Sequence, residues 1–367
     1  MTIGIVGAGQ LGRMLALSGI PLGEDFLFLD PSAGSPGGQV AAQIVGEFTD
    51  RERLAELASR SAVLTFDWEN VSVEALRALP RGTRICPPIP ALAASQDRAS
   101  EKRLFGRLKI PTTRWRAVQT EAQLQRAIGE VGLPGVLKTR RLGYDGKGQA
   151  VLRNAADAAR AWREIGAAPA IYEEWIAFDC EVSIIGARGR GGDTVVYPLN
   201  GNVHAGGILR LTRAPFGSAT LHRKAATYLN RVLRHFRYVG VLTIEFFVRN
   251  GVLIANEMAP RVHNSGHWTI EGAVTSQFEN HVRAILGLPL GDTAARGHSA
   301  MINLIGEMPR AARVLSEPGV HFHHYGKAPR PGRKLGHCTV VEPVSARRRD
   351  QRVRRLLAGL ALDIGFP

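Results

Sequence analysis

The chain is poor in cysteine, in acid and in long apolar runs, and each shortage excludes a class of protein. Its three cysteines, Cys86, Cys180 and Cys338, are too few and too scattered for a disulfide framework or a Cys-rich zinc site. Such usage suits a reducing compartment. No uninterrupted apolar stretch approaches the roughly 20 residues of a membrane-spanning helix. Residues 1–6 lack the basic flank and apolar run of a signal peptide. The expected location is the cytoplasm, with no membrane attachment. No internal repeat is visible. At 367 residues, 45% of them hydrophobic, the chain has the length for two or three packed globular units.

Acid is the scarcer charge: 32 Asp and Glu face 47 Lys and Arg, a net +15. An excess of cations suits polyanionic partners, either nucleic acid or small phosphates. The densest run holds Arg347, Arg348, Arg349, Arg352, Arg354 and Arg355, opposed by Asp350. It has no interleaved aromatics for base stacking and continues into Leu356, Leu357, Leu360 and Leu362. It therefore reads as an amphipathic helix with a solvated face rather than a nucleic-acid arm.

The first 95 residues alternate strands (3–6, 26–29, 62–66, 84–86) with helices (13–18, 51–59, 73–79), which implies a parallel α/β sheet. A helix over 100–108 leads into an α+β region with helices over 121–131 and 155–165. Its strands fall at 135–138, 149–152 and 170–174. From 181 the pattern is antiparallel, with strands at 181–187, 194–198, 241–248 and 253–257 and helices at 220–236 and 276–286. Asn250-Gly251 marks a tight hairpin. From about 300 the chain reads as short strands and turns followed by the Arg-rich helix.

Gly7, Gly9 and Gly12 spell G-x-G-x-x-G between a strand and a helix, and Asp30 ends the next strand, the outline of a dinucleotide fingerprint. The same turn also serves other α/β folds, so a nicotinamide oxidoreductase stands as a rival reading. Lys138 ends a strand that runs through Arg140 and Arg141 into the glycine-rich turn Gly143-Tyr144-Asp145-Gly146-Lys147-Gly148. Such a hairpin can close over a triphosphate, or be a solvated surface turn. Ile171-Tyr172-Glu173-Glu174-Trp175-Ile176 carries acids out of an apolar strand, and read as a sheet edge it can offer backbone to a base and carboxylate to a ribose. Glu245 and Glu257 lie in apolar strands on either side of Asn250-Gly251. A buried carboxylate needs a cation; two carboxylates with Asn256 suit Mg²⁺, and salt bridges to Arg or Lys are the alternative. The stretch Arg261-Val262-His263-Asn264-Ser265-Gly266-His267-Trp268 is dense in donors. In it Arg261 can neutralise an anion and His263 can move a proton. Zinc at His263 and His267 lacks a third ligand. His321, His323 and His324 read as a strand with mixed faces. At Arg330-Pro331-Gly332-Arg333-Lys334 a phosphate clamp competes with a solvated turn.

In this order, the motifs resemble the ATP-grasp superfamily. Within it they are similar to the N5-carboxyaminoimidazole ribonucleotide synthetase family of purine biosynthesis. The resemblance rests on Gly7-Ala8-Gly9-Gln10-Leu11-Gly12-Arg13-Met14-Leu15, on 143–149, on 256–268 and on Arg330-Pro331-Gly332-Arg333-Lys334-Leu335-Gly336-His337. It implies a Rossmann-like N-terminal unit (1–95), an ATP-grasp lid with the glycine hairpin (96–180), a catalytic ATP-grasp unit (181–299) and a small β-rich C-terminal unit (300–367). It further implies ATP-dependent carboxylation of 5-aminoimidazole ribonucleotide by bicarbonate, through carboxyphosphate, with Mg²⁺ and without NAD or biotin. Arg98, Lys138, Gly143, Tyr144, Asp145, Gly146, Lys147, Gly148, Gln149, Glu173, Glu174, Trp175, Ile176, Glu181, His204, Asn256 and Glu257 would line the ATP site. Glu245 and Glu257 would hold the metal. Glu69, Tyr144, Asp145, Arg261, His263, Arg333 and Lys334 would approach the ribonucleotide or bicarbonate, with Lys147, Arg261, His263 and Lys334 in the chemistry. A homodimer and a mutase that takes the product are implied as partners, and no nucleic acid. Two departures are visible: Lys147 stands where Arg is also seen in the family, and Phe66-Asp67-Trp68-Glu69 matches its acidic stretch loosely. A formate-dependent ATP-grasp transformylase would share the ATP residues but not 261–268 or 330–337. Biotin carboxylase would need a longer chain.

Overall fold

A computed structural model describes residues 1–143 and 146–364. The N-terminal unit is a parallel sheet in the order β3-β2-β1-β4, formed by β1 (Thr2–Val6), β2 (Asp25–Asp30), β3 (Ala42–Val45) and β4 (Val63–Phe66). Helices α1 (Gln10–Gly19), α2 (Arg51–Ser59) and α3 (Val73–Arg77) connect it. The strand expected at 84–86 shrinks to a single bridge, Ile85 to Leu64, because Pro87 and Pro88 have no N–H with which to extend a ladder. Instead the chain enters α4 (Ile89–Ser95) and α5 (Arg98–Arg107), the latter capped by Asp97, whose carboxylate accepts the Ser100 N–H at 3.0 Å.

The next unit is a four-stranded antiparallel sheet, ordered β5-β8-β6-β7: β5 (Trp115–Val118), β6 (Gly135–Thr139), β7 (Gln149–Leu152) and β8 (Ala170–Glu174). It packs on α6 (Glu121–Val131) and α7 (Asp157–Glu164) around its own core of Val118, Leu124, Leu137, Trp162 and Tyr172.

The rest of the chain builds one large antiparallel sheet. Its strands are β9 (Cys180–Arg188), β10 (Thr194–Val196), β11 (Asn200–Ala205), β12 (Ile208–Ala214), β13 (Gly240–Arg249), β14 (Val252–Ala259), β15 (His298–Ile305), β16 (Val320–His324) and β17 (Lys334–Glu342). The order is β14-β13-β9-β11-β12-β15-β17-β16, with β10 on β9. The hairpin β11–β12 was absent from the sequence reading, and so was the length of β15 and β17. The C-terminal strands therefore extend the central sheet through β12–β15. Helices α8 (Ala219–His235), α9 (Thr269–Gly272), α10 (Gln277–Leu286), α11 (Ala311–Val314) and α12 (Ala346–Leu360) complete the fold. On α12, Val353, Leu356, Leu357 and Leu360 are core residues, while Arg352 and Arg355 pair with Glu317 at 3.2 and 2.8 Å. The arginine run is thus tied into the fold as a helix face. One core joins α1 and β1 to α10 and the large sheet through Met14, Val282 and Ile185, so the N-terminal unit and the sheet meet across packed side chains. No helix among the described residues is long and apolar enough to cross a membrane.

Candidate active site

A bulge sets the acidic pair. From the Asn250-Gly251 turn, Arg249 faces Val252 and Phe246 faces Ala255; a regular ladder would then put Asn256 opposite Glu245. The register shifts between Glu245 and Phe246, and Glu245 pairs with Glu257 instead. Because side chains alternate faces, this one-residue slip puts both carboxylates on the same side of the sheet. Burial chiefly, with repulsion from Glu257 and Glu181, pushes the Glu245 carboxyl up to about 7 against the pull of His204. Glu257 stays below its ordinary value: depth in the protein works against its charge, but Arg98 and Lys138 outweigh that. Its side chain is still 43% exposed to the cleft. On β9 and β11, Glu181 accepts from His204 Nδ1 at 2.8 Å. Burial opposes charge on His204, yet Glu181, Glu245 and Glu257 raise it to about 9, so the ring is a cation at neutral pH. The Asn256 side-chain oxygen is buried with no hydrogen-bond partner. No self-sufficient cluster of three His, Cys, Asp or Glu ligands exists among the described residues. Two neighbouring carboxylates and an orphaned amide oxygen fit Mg²⁺, which takes its remaining ligands from water and substrate phosphate.

Cations surround this pair. Arg98 Nη1 donates to Glu257 Oε2 at 3.1 Å, and its Nη2 to the Gly143 carbonyl at 3.4 Å, so the base of the glycine hairpin is tied to the metal-type carboxylate. Asp97 accepts from Arg140 Nη2 at 2.7 Å. Gly146 at the hairpin tip lies against the Gly206–Gly207 turn; a Cβ there would sit 3.1 Å from the Gly206 carbonyl oxygen. Lys147 and Gln149 are exposed, and Gly148 packs on Thr139. Tyr144 and Asp145 lie outside the described residues. Arg261 binds Glu69 at 2.9 Å, and His263 Nε2 stands 3.4 Å from Glu245. Lys334, at the start of β17, is close enough to act electrostatically on both Glu245 and His263. Arg333 instead closes its own loop, donating to the Ala328 carbonyl at 3.2 Å. Arg98, Glu257, Arg261, His263, Glu69 and Gly143 line one cavity of about 50 Å³. It borders a more open cavity of about 580 Å³ along Asn70, Gln96 and Leu142. The inner space is far below the ~300 Å³ of the smallest usual ligand pockets.

The strand at 171–176 departs from expectation. β8 lies between β5 and β6, so it is no open edge, and the Trp175 N–H is taken by the Pro134 carbonyl at 3.0 Å. Backbone is released only from Ile176 onward. Glu173 is 2% exposed and is gripped by Lys102 at 3.0 Å, Lys138 at 3.1 Å and the Thr113 hydroxyl at 2.5 Å. These cations hold it far below the ordinary carboxylate range despite its burial. Its partner Glu174 pairs with Arg114 at the surface, Trp175 is exposed and Ile176 is buried. Lys138 thus reaches the cleft held by Glu173, which it shares with Lys102, so the cluster keeps an excess positive charge.

Sequence reasoning missed Glu101, Lys102, Thr113 and Asp67. Glu101 is 1% exposed and accepts the Met258 N–H at 2.6 Å beside Glu257. Burial and the charge of Glu257 raise it to about 8, so it is protonated at pH 7. Nothing in the sequence marks them: Arg98 and Glu101 stand three apart on α5 like an ordinary solvated helix pair. Asp67 answers the dinucleotide question. Its carboxylate accepts the Gly12 N–H at 3.2 Å, and a Cβ on Gly7 would meet its oxygen at 1.9 Å. Asp30 takes the Ala8 N–H at 2.9 Å. The glycine turn is therefore filled by the chain's own carboxylates, where a pyrophosphate would need to sit. The zinc pairing gains no third ligand: His267 packs against His337 and Phe278, His263 stands beside Glu245, and no cluster of three His, Cys, Asp or Glu ligands forms among the described residues.

Comparison with known proteins agrees with this architecture. Family models match as a ribonucleotide synthetase preATP-grasp domain over 1–96, an ATP-grasp domain over 103–278 and a phosphoribosylaminoimidazole carboxylase C-terminal domain over 299–351. The N5-carboxyaminoimidazole ribonucleotide synthase of Pseudomonas aeruginosa is 49% identical over 340 residues, 93% of this chain and 94% of its own. The crystal structure of the synthetase from Thermus thermophilus superposes with a TM-score of 0.94 at 49% identity, covering 98% and 99% of the two chains. That of the Aspergillus clavatus enzyme in complex with ADP and 5-aminoimidazole ribonucleotide gives 0.92 at 30% identity, covering 98% of each. With an ATP-grasp fold, a parallel-sheet domain before it and an antiparallel C-terminal extension, the chain belongs to the N5-carboxyaminoimidazole ribonucleotide synthetase family.

Proposed function

We propose that this protein carboxylates 5-aminoimidazole ribonucleotide on its exocyclic amine, using ATP and bicarbonate and releasing ADP and phosphate, in purine biosynthesis. The observation that carries the reading is the bulged hairpin, which sets Glu245 and Glu257 on one face, ringed by Arg98, His204, Arg261, His263 and Lys334. Bicarbonate attacks the γ-phosphorus of ATP and ADP leaves. The amine then takes the carboxyl group from carboxyphosphate, phosphate departs and the amine loses a proton. Arg98, Lys138 and the glycine hairpin, including Tyr144, Asp145, Lys147 and Gln149, bind the triphosphate. Glu173 to Ile176, Glu181 and His204 frame the nucleoside end. Glu245 and Glu257, with Asn256 beside them, would hold Mg²⁺, which offsets phosphate charge when bound. Arg261, His263 and Lys334 face the transferring group, where fixed cations favour the developing negative charge. Glu69 orients Arg261, and Lys334 meets the ribonucleotide phosphate, while Arg333 holds the loop before it. A closed hairpin keeps water from carboxyphosphate.

The units 1–95, 96–180, 181–299 and 300–367 divide this work as acceptor platform, lid, metal-bearing floor and phosphate clamp. The protein acts in the cytoplasm as a homodimer and passes its labile product to a mutase. The test is ADP release with MgATP, comparing no acceptor, 5-aminoimidazole ribonucleotide, and glycinamide ribonucleotide with formate, each with and without bicarbonate. ADP release that requires the imidazole nucleotide, with a trapped bicarbonate-derived carbamate, is expected. ATP use only with glycinamide ribonucleotide and formate, or none at all, refutes it.

A further inference from the structure

A buried relay of hydrogen bonds ends on His263, and its polarity can be read from the far end. The Trp268 indole N–H can only donate, and it donates to Asn200 Oδ1 at 2.9 Å. That turns Asn200 Nδ2 toward Ser183 Oγ and the Ser265 carbonyl, both at 3.3 Å. Asn202 accepts the Thr212 hydroxyl at 3.1 Å on its oxygen and donates from Nδ2 to Ser183 Oγ at 3.1 Å. With two amide donors on it, Ser183 Oγ has its own proton left to give, and Ser265 Oγ is 2.8 Å away. Ser265, having accepted that proton, gives its own to His263 Nδ1 at 2.8 Å. A second and independent donor points at the same nitrogen: the Ser265 backbone N–H, 3.3 Å from Nδ1. Trp268, Asn200, Ser183 and Ser265 are all fully buried, so water does not randomise the order.

We propose that this relay locks His263 in the Nε2–H tautomer, making Ser265, Ser183 and Asn200 positioning residues for it. Nδ1 is an acceptor with both of its donors supplied by the protein. The ring therefore offers the cleft one group, an N–H on Nε2, which points toward Glu245. Resting on the function proposed above, the ligand class it meets is an anionic oxygen, the carboxylate of bicarbonate or a phosphoryl oxygen of the intermediate. His263 then grips substrate as a hydrogen-bond donor; the acceptor amine loses its proton to another group. This narrows the role expected from the sequence, in which His263 moved a proton.

The test reads the tautomer directly. The full chain is labelled with ¹⁵N-histidine, and long-range ¹H–¹⁵N correlations are recorded at neutral pH without nucleotide, with His263 assigned by its loss in His263→Gln. A pyridine-type Nδ1 and a pyrrole-type Nε2 are expected. A proton on Nδ1, or a signal averaged between tautomers, overturns the proposal whatever reaction the enzyme catalyses. Ser265→Ala should yield a mixed or averaged His263 signal and about a fivefold to tenfold fall in kcat. The KM for ATP should stay unchanged, and Ser265→Thr should restore both readouts. A Ser265→Ala protein with an unaltered Nε2–H signature would overturn the relay's part in it.

Discussion

Glu101 and Glu173 are buried glutamates on either side of Lys102, and they should answer the same substitution in opposite ways. Glu173 is ionised between two ammonium groups, whereas Glu101 carries a proton. For Glu101, moving the carboxyl from its ordinary 4.5 to about 8 corresponds to about 5 kcal/mol. The sign follows from proton binding. Between pH 4.5 and 8 the native state holds a proton that the unfolded chain gives up. The stability this proton confers is full below 4.5 and drains away as pH rises through 8. Glutamine copies the protonated side chain, keeps the acceptor for the Met258 N–H and does not titrate. Glu101→Gln should therefore match the wild type near pH 4.5, exceed its stability by about 3 kcal/mol at pH 7 and by about 5 at pH 8, and gain no more above that. Glu173→Gln leaves Lys102 and Lys138 uncompensated and should lose about 3–5 kcal/mol at neutral pH. The assay is urea unfolding of the magnesium-free protein, followed by tryptophan fluorescence from pH 5 to 9. If Glu101→Gln is destabilised by as much as Glu173→Gln, or its difference from wild type does not vary with pH, Glu101 is an anion and the reasoning fails.

Glu257→Gln should abolish turnover and raise the Mg²⁺ concentration needed for ADP release; near-normal kinetics would remove Glu257 from the metal site. Lys334→Ala should raise the KM for the ribonucleotide by tenfold or more while leaving that for ATP within about twofold, since loss of one charge-assisted contact is worth about 1.5–3 kcal/mol. Equal effects on both substrates would sink that assignment. NADH should show no fluorescence enhancement or energy transfer on titration with the protein, because Asp67 and Asp30 occupy the glycine turn; saturable binding would contradict this.

The sequence carried the hairpin at Asn250-Gly251, the parallel N-terminal sheet and the amphipathic character of α12, all of which follow from local rules of turn, alternation and periodicity. It did not carry the bulge. Whether Glu245 faces Asn256 or Glu257 depends on one extra residue in β14, and nothing in Leu253-Ile254-Ala255-Asn256-Glu257 announces it. Nor did it carry the place of β8. An apolar strand with an acidic end reads the same at an edge or in the middle of a sheet, and only its pairing with β5, a four-residue strand that the sequence does not mark, decides. The partners of Glu173 come from three places, α5, β6 and the loop before β5, with Lys102 71 positions earlier, and a buried charge such as Lys102 looks in sequence like any solvated helix residue. Arg333 and Lys334 are adjacent in the chain, but Arg333 ends the turn and donates back to the Ala328 carbonyl while Lys334 opens β17; a run of cations does not announce which of them the turn will retain.

The continuity of the large sheet bears on how such an enzyme can be cut and recombined. β15 pairs along β12 from Leu211–Ile302 to Ala214–Ser299. Severing the chain near 299 would strip β12 of its neighbour and leave a row of unpaired backbone groups, an invitation to aggregation. The segment from 299 onward is therefore poor material for a chimera, despite matching a family model of its own. The sheet of β5 to β8 is different: its strands pair with no strand of the other two sheets and its core is its own. A graft that exchanges that segment whole, keeping Lys102 and Thr113 to receive Glu173, is the recombination this architecture tolerates.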